Sequence, residues 1–377
     1  MFAPELERRV SHSLGRTLRL GADELSRRTT GFGLQADSRR PFPHPISAAF
    51  EREFTGKETA MDNNAPTRVA VVGLGNVGAT LGYALLLSGL AAEIVLIDKN
   101  HAKAEGEAMD LNHAVPFAHP TRIWAGTYED CAGAAVVVIA AGAGQKPGET
   151  RLDLLQHNAS IFAEVVPRVV QHNRDCILLI ATNPVDVLTH ISLRLSGLPA
   201  QHVIGSGTIL DTARFRYMLS QHFDVDSRSV HAFIIGEHGD SEVPVWSLAN
   251  IAGMRLEEFC AAQGRACDWR GLHAIFEQTR DAAYHIIARK QATYYAVAAG
   301  LMRIIEAILR DQNTVLSVSS LVSGAYGISD LCLTLPSIVN RGGIHKVLHL
   351  QLSAQEEEKL QHSAQVLRET LGRLKSS

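Results

Sequence analysis

No run of about 18 apolar residues occurs in the chain, so the sequence offers no membrane-spanning helix. No basic stripe is sustained either, and a formal charge of −3 leaves no electrostatic footprint for nucleic acid. No nucleic acid and no membrane are therefore expected as partners. The five cysteines, Cys131, Cys176, Cys260, Cys267 and Cys332, are odd in number, scattered, and form no C-x-x-C pair that would grip zinc or exchange disulfides. No metal site is expected, and this usage fits a reducing compartment. A basic segment followed by an apolar signal core is also missing at the N-terminus, so a soluble, cytoplasmic protein is expected. No internal repeat is found.

With 377 residues, 46% hydrophobic and 20% charged, the chain has material for a sizeable core and for two substructures. Residues 1–65 differ from the rest: they carry the pairs Arg8-Arg9, Arg27-Arg28 and Arg39-Arg40 and the turn-prone Pro41-Phe42-Pro43-His44-Pro45. An arginine-rich leader suggests an organelle transit peptide. Glu5, Glu7, Asp23, Glu24, Glu51 and Glu53 are too many acids for that class, so a disordered N-terminal extension is expected. Translation starting at Met61, just ahead of the first strand, is a blander reading of the same segment.

From Arg68 onward, short apolar runs alternate with helical stretches. Arg68-Val72, Glu93-Ile97, Ala135-Ala140 and Cys176-Ala181 read as fully buried strands. Strands separated by helices predict an α/β fold with a doubly wound parallel sheet over residues 66–210. After Asp211 the order changes to a long helix, a strand Val230-Ile235, further helices to Arg310, a hairpin-like region from Val315 to Leu335, and a closing helix Ala354-Leu374. Residues 211–377 are thus expected to form a C-terminal α+β domain.

The first strand runs into Gly73-Leu74-Gly75-Asn76-Val77-Gly78 and then a helix, the setting in which G-x-G-x-x-G binds a dinucleotide (a Rossmann fold). Gly73 permits the tight turn, Gly75 lets backbone approach a pyrophosphate, and Gly78 packs helix on strand, with Val77 in the same turn. Alone, the motif is also read as a ligand-free glycine turn. Asp98 adds weight: it ends the second strand twenty positions beyond Gly78, where a carboxylate accepts both ribose hydroxyls and repels a 2′-phosphate. NAD is therefore expected rather than NADP. Asn183, at the end of a later strand, is a candidate for the nicotinamide side, although Asn-Pro is also an ordinary turn pair.

Four further segments are specific: Gly142-Ala143-Gly144-Gln145-Lys146-Pro147-Gly148-Glu149-Thr150-Arg151, Ala181-Thr182-Asn183-Pro184, Leu210-Asp211-Thr212-Ala213-Arg214-Phe215-Arg216 and Ile235-Gly236-Glu237-His238-Gly239-Asp240-Ser241. Together they resemble the L-lactate dehydrogenases of bacterial type, from about residue 66 to 374. The resemblance implies hydride transfer between a nicotinamide and a small 2-hydroxy acid. It implies His238 as acid and base, a role an imidazole suits near neutrality. Asp211 would orient the imidazole, Arg214 would clamp the substrate carboxylate through a two-pronged ion pair, and Arg151 would reach the substrate carbonyl from a mobile lid. A helix-capping role is the bland alternative for Asp211, and a solvated surface charge for each arginine.

Gln145 matches the lid position at which the related malate dehydrogenases carry an arginine for a second carboxylate. Its neutral amide favours pyruvate and lactate over a dicarboxylate. Asn183 and Thr293 complete the substrate-binding set the resemblance implies, Thr293 lining the substrate's methyl end. Gly144, where relatives carry Asn or Arg, is a departure that bears on the lid. Malate dehydrogenase is the close alternative; a catalytically silent NAD-binding protein of this fold would be expected to have lost His238, Arg214 or Arg151. The resemblance further implies a homotetramer, and Arg216 and His231 match positions at which bacterial relatives bind fructose 1,6-bisphosphate across a subunit interface.

Overall fold

Strands that are apolar without alternation can be buried on both faces only between two layers of helices. The computed structural model, which describes residues 67–144 and 150–375, has this arrangement in its first half. The extension expected over residues 1–65 and the lid residue Gln145 lie outside the described residues. Strands β1 (Arg68–Val72), β2 (Glu93–Ile97), β3 (Arg122–Ala125), β4 (Ala134–Ile139), β5 (Ile177–Ile180) and β6 (Val203–Gly205) are parallel neighbours in the spatial order 6-5-4-1-2-3. Between them run α1 (Asn76–Ser88), α2 (His101–Ala114), α3 (Arg151–His172) and α4 (Val185–Ser196). Alternate residues of β1 enter opposite cores: Ala70 and Val72 join one, Val69 and Val71 the other. The doubly wound parallel sheet is thus as expected, and the first two strands have the bounds read from sequence.

The second half departs from expectation in two ways. After α5 (Ile209–Phe223), the segment read as one strand Val230–Ile235 is instead two short strands in different sheets, β7 (Val230–His231) and β8 (Ile234–Ile235). The interruption arises because side chains of α5 and of Thr208, the residue just before it, satisfy its backbone groups. Arg216 Nε donates to Ala232 O at 2.8 Å, Thr208 Oγ1 to Ile234 O at 2.5 Å, and Ile234 N donates to Thr212 Oγ1 at 3.0 Å. Further short strands follow: β9 (Val243–Pro244) pairs with β8, while β10 (Asn250–Ile251) and β11 (Met254–Arg255) form a ribbon with β7.

Helices α6 (Leu256–Ala262), α7 (Trp269–Lys290) and α8 (Tyr295–Leu309) come next. Phe215, Leu219 and Phe223 of α5 form a third core with Val230, Leu256 and Leu272. The second departure is the hairpin, β12 (Thr314–Ser323) and β13 (Ser329–Asn340), which is longer than its apolar signal and acquires a third strand, β14 (Gly343–Val347). β12 pairs antiparallel with β6 at Ser319 and Gly205, so the hairpin extends the parallel sheet to nine strands. Helix α9 (Ala354–Lys375) closes the chain, Leu360, Ala364 and Leu367 entering the first core.

Candidate active site

The glycine turn has the geometry that its sequence requires. Gly73 takes φ +94°, and a Cβ there would stand 2.3 Å from Ala141 N; at Gly78 it would stand 2.0 Å from Gly73 O. Any side chain at either position would force strand and helix apart. Gly75 differs. It caps α1 with no side-chain hydrogen bond, no acid occupies the first helical turn, and nothing lies within 4 Å of where its Cβ would be. The start of α1 thus has neither a side-chain cap nor an acid and leaves room at Gly75, which fits a pyrophosphate. Val77, two residues on, is half-buried. Asp98, just past β2, accepts Leu74 N at 2.8 Å through Oδ2 and Asn100 N at 2.9 Å through Oδ1, which fixes its carboxylate beside the glycine turn. These residues fit a dinucleotide.

Across the C-terminal ends of β4 and β5, Asn158 of α3 joins two loops. Its Oδ1 accepts Ala143 N at 2.8 Å and its Nδ2 donates to Asn183 O at 3.0 Å. Asn183 stands exposed at the start of α4. Thr150 and Asp153 form a reciprocal capping box on α3, which fixes the backbone of Arg151 at the first helical position. The Arg151 side chain lies outside what the structure describes.

His238 follows β8 in a turn tied down at each residue. Gly236 exchanges both main-chain hydrogen bonds with Thr334, Glu237 N donates to Ser363 Oγ at 2.7 Å, and His238 N donates to Asp186 Oδ2 at 2.7 Å. The imidazole Nδ1 meets Asp211 Oδ2 at 2.5 Å, and Asp211 Oδ1 accepts from Arg214 Nη1 at 3.0 Å. Asp211 is 2% exposed. Its oxygens go to the histidine and the arginine, and its carboxylate also meets its own main-chain N–H in the first turn of α5.

Burial alone would make Asp211 harder to ionise; the His238 and Arg214 charges outweigh it and hold the carboxyl below its usual range. For His238, burial disfavours the imidazolium, but Asp211, helped by Asp186, drives its pKa up to about 9. Glu242, buried and close to Asp211, is pushed up to about 9 by desolvation and by that neighbouring carboxylate. Carboxyl and imidazole atoms of Asp211, His238 and Glu242 lie within 4.8 Å of one another. With Asp211 charged, Glu242 is held neutral. A cavity of about 430 Å³ opens beside this turn, lined by Ser241, Glu242, Arg280 and His362 among others.

The chain matches the family model described as lactate/malate dehydrogenase, NAD binding domain, over residues 67–205, and the alpha/beta C-terminal domain of the same family over residues 208–376. The chain belongs to the lactate/malate dehydrogenase family. It is 54% identical over 308 residues to L-lactate dehydrogenase of Priestia megaterium, covering 81% of this chain and 96% of that one. It is 52% identical over 310 residues to L-lactate dehydrogenase of Acetivibrio thermocellus, covering 82% and 98%. Its fold superposes with a TM-score of 0.79, at 42% identity, on minor L-lactate dehydrogenase from Enterococcus mundtii, covering 81% of this chain and 98% of that one.

The remaining candidates are less closely joined. Thr293 is half-buried in the α7–α8 connection, with no hydrogen bond to the His238 cluster among the described residues. Arg216 is bonded to the carbonyl of Ala232 and lies 5.2 Å over the Phe233 ring; burial lowers its pKa. His231, one residue before Ala232 on that strand segment, is exposed. Sequence reasoning missed Asp186, Glu242 and Asn158. A signal existed for Asp186, an acid in the otherwise apolar first turn Val185-Asp186-Val187-Leu188. Glu242 lies only four residues past His238, but its neighbour Asp211 is distant in sequence.

Proposed function

We propose that this chain is an NAD-dependent L-lactate dehydrogenase, reducing pyruvate and oxidising lactate. The observation that carries the reading is the shared carboxylate: Asp211 holds the His238 ring through one oxygen and Arg214 through the other. With Nδ1 committed to Asp211, Nε2 is the nitrogen left to face a substrate oxygen. NAD supplies the hydride acceptor or donor when bound, held by Gly73, Gly75, Val77, Gly78 and Asp98, with Asn183 on its nicotinamide side. During pyruvate reduction, protonated His238 donates a proton to the carbonyl oxygen; during oxidation, neutral His238 takes it from the hydroxyl. Asp211 stabilises the imidazolium in both directions. Arg214 pairs with the substrate carboxylate, which orients C2. Arg151 polarises the carbonyl once the lid closes, and Thr293 borders the methyl group.

Gln145 supports pyruvate over oxaloacetate, since a neutral amide leaves a second carboxylate uncompensated. The presence of His238, Arg214 and Arg151 argues against a silent NAD-binding role. The cytoplasm is the setting we assign, and no helix among the described residues is long and apolar enough to cross a membrane. We further propose a homotetramer in which Arg216 and His231 bind fructose 1,6-bisphosphate at a two-fold interface. Pyruvate-dependent oxidation of NADH by the purified chain, abolished in His238→Gln, tests the main reading; a preference for oxaloacetate would replace it with the malate alternative.

A further inference from the structure

Asp186 is 2% exposed in the first turn of α4, three residues after Asn183. A carboxylate at that depth persists only where it is held. Its Oδ2 accepts the main-chain N–H of His238 at 2.7 Å, its Oδ1 accepts the Thr334 hydroxyl at 3.4 Å, and Ser319 presents a further hydroxyl from β12. His238 favours its charge and Glu237 opposes it, while the Cys332 thiol faces it from β13. Among the described residues no lysine or arginine pairs with it.

From α5, Asp211 holds the imidazole itself, with Arg214 on its far oxygen and Glu242 alongside. Two carboxylates from two helices therefore act on one histidine, one through its ring and one through its main chain. We infer that Asp186 is a positioning residue for the reaction: it fixes the His238 backbone relative to Asn183 and supplies a second negative charge that favours the protonated imidazole. The inference rests on His238 being the acid and base. Burial brings the Asp186 carboxyl up to about 6, so near neutrality it is largely ionised, and its ionisation and His238 protonation support each other.

The test is the pH dependence of kcat/KM in both directions, on the full chain. Asp186→Asn keeps the size and an acceptor oxygen for His238 N–H but drops the charge. Pyruvate reduction, which needs imidazolium, should lose its alkaline limb about one pH unit earlier, and lactate oxidation should extend about one unit further into acid. Asp186→Ala also removes the acceptor and should lower plateau kcat roughly tenfold, with NADH affinity by fluorescence retained. Ser319→Ala combined with Thr334→Val makes Asp186 harder to ionise and should move both profiles the same way; it decides the matter if the asparagine variant does not fold. Profiles that coincide with wild type, or an activity loss equal at every pH, would overturn the inference. A His238→Gln variant with wild-type profiles would instead overturn the acid–base assignment, while its inactivity beside an unshifted Asp186→Asn would remove only the role of Asp186.

Discussion

Arg214 and His238 draw on opposite oxygens of a single carboxylate, so the proposed substrate anchor and the proposed proton donor would share one buried charge. Arg214→Lys removes the planar fork that matches a carboxylate, and is expected to lower kcat/KM for pyruvate by about 3–5 kcal/mol, on the order of 10²- to 10³-fold or slightly more. Ordinary pyruvate kinetics in that variant would show that the carboxylate binds elsewhere. The pH behaviour follows from signs. His238 is raised to about 9, so its stabilising contribution is complete below the ordinary histidine range and is lost as pH rises through 9. Asp211 is depressed, so its contribution is present above the ordinary carboxyl range and is lost as pH falls through its folded value. Pyruvate reduction should accordingly persist to about pH 9. Asp211→Asn should move that limb down into the neutral range and slow turnover on the order of 10²- to 10⁴-fold. A limb left near 9 would mean that another group raises the imidazole.

Among the elements, the capping box of α3 fixes where the helix begins at Arg151, while Asn158 ties Ala143 to the Asn183 loop. Ala143 and Thr150 are thus each hydrogen-bonded in place, and specificity is expected to lie in the residues between them. Gln145→Arg adds a cation where the second carboxylate of oxaloacetate would stand. The ratio of kcat/KM for oxaloacetate to that for pyruvate should rise by about two orders of magnitude or more. If competition between the two substrates leaves that ratio nearly unchanged, Gln145 is not at the distal end of the substrate.

At the scale of the whole molecule, the interruption between β7 and β8 links the proposed effector residues to the His238 turn along one segment. The α5 helix carries Asp211 and Arg214 near its start and Arg216 two residues further on. Its Arg216 side chain is bonded to the segment that runs from His231 to His238. A bisphosphate that draws two copies of Arg216 and His231 together would pull on both supports of the catalytic pair. Fructose 1,6-bisphosphate is therefore expected to lower the pyruvate concentration for half-maximal rate, most strongly in dilute protein, and Arg216→Gln should abolish the response while saturating turnover persists. Kinetics and sedimentation both indifferent to millimolar sugar bisphosphate would refute this regulation and leave the catalytic assignment standing.

The sequence alone determined what depends on short-range pattern. Uniformly apolar strands specify a doubly covered parallel sheet, and Gly73, Gly75, Gly78 and Asp98 lie close enough along the chain for spacing to place them. His238, Asp211 and Arg214 were identified by matching motifs, with no signal in the sequence that they share one carboxylate. Only the tertiary structure decided that Asp186, 52 residues before His238, holds its main chain. It also decided that the segment Val230–Ile235 breaks and that the hairpin joins the parallel sheet. In each case a buried polar group takes its partner from whichever element packs against it, a choice governed by three-dimensional packing and invisible to periodicity.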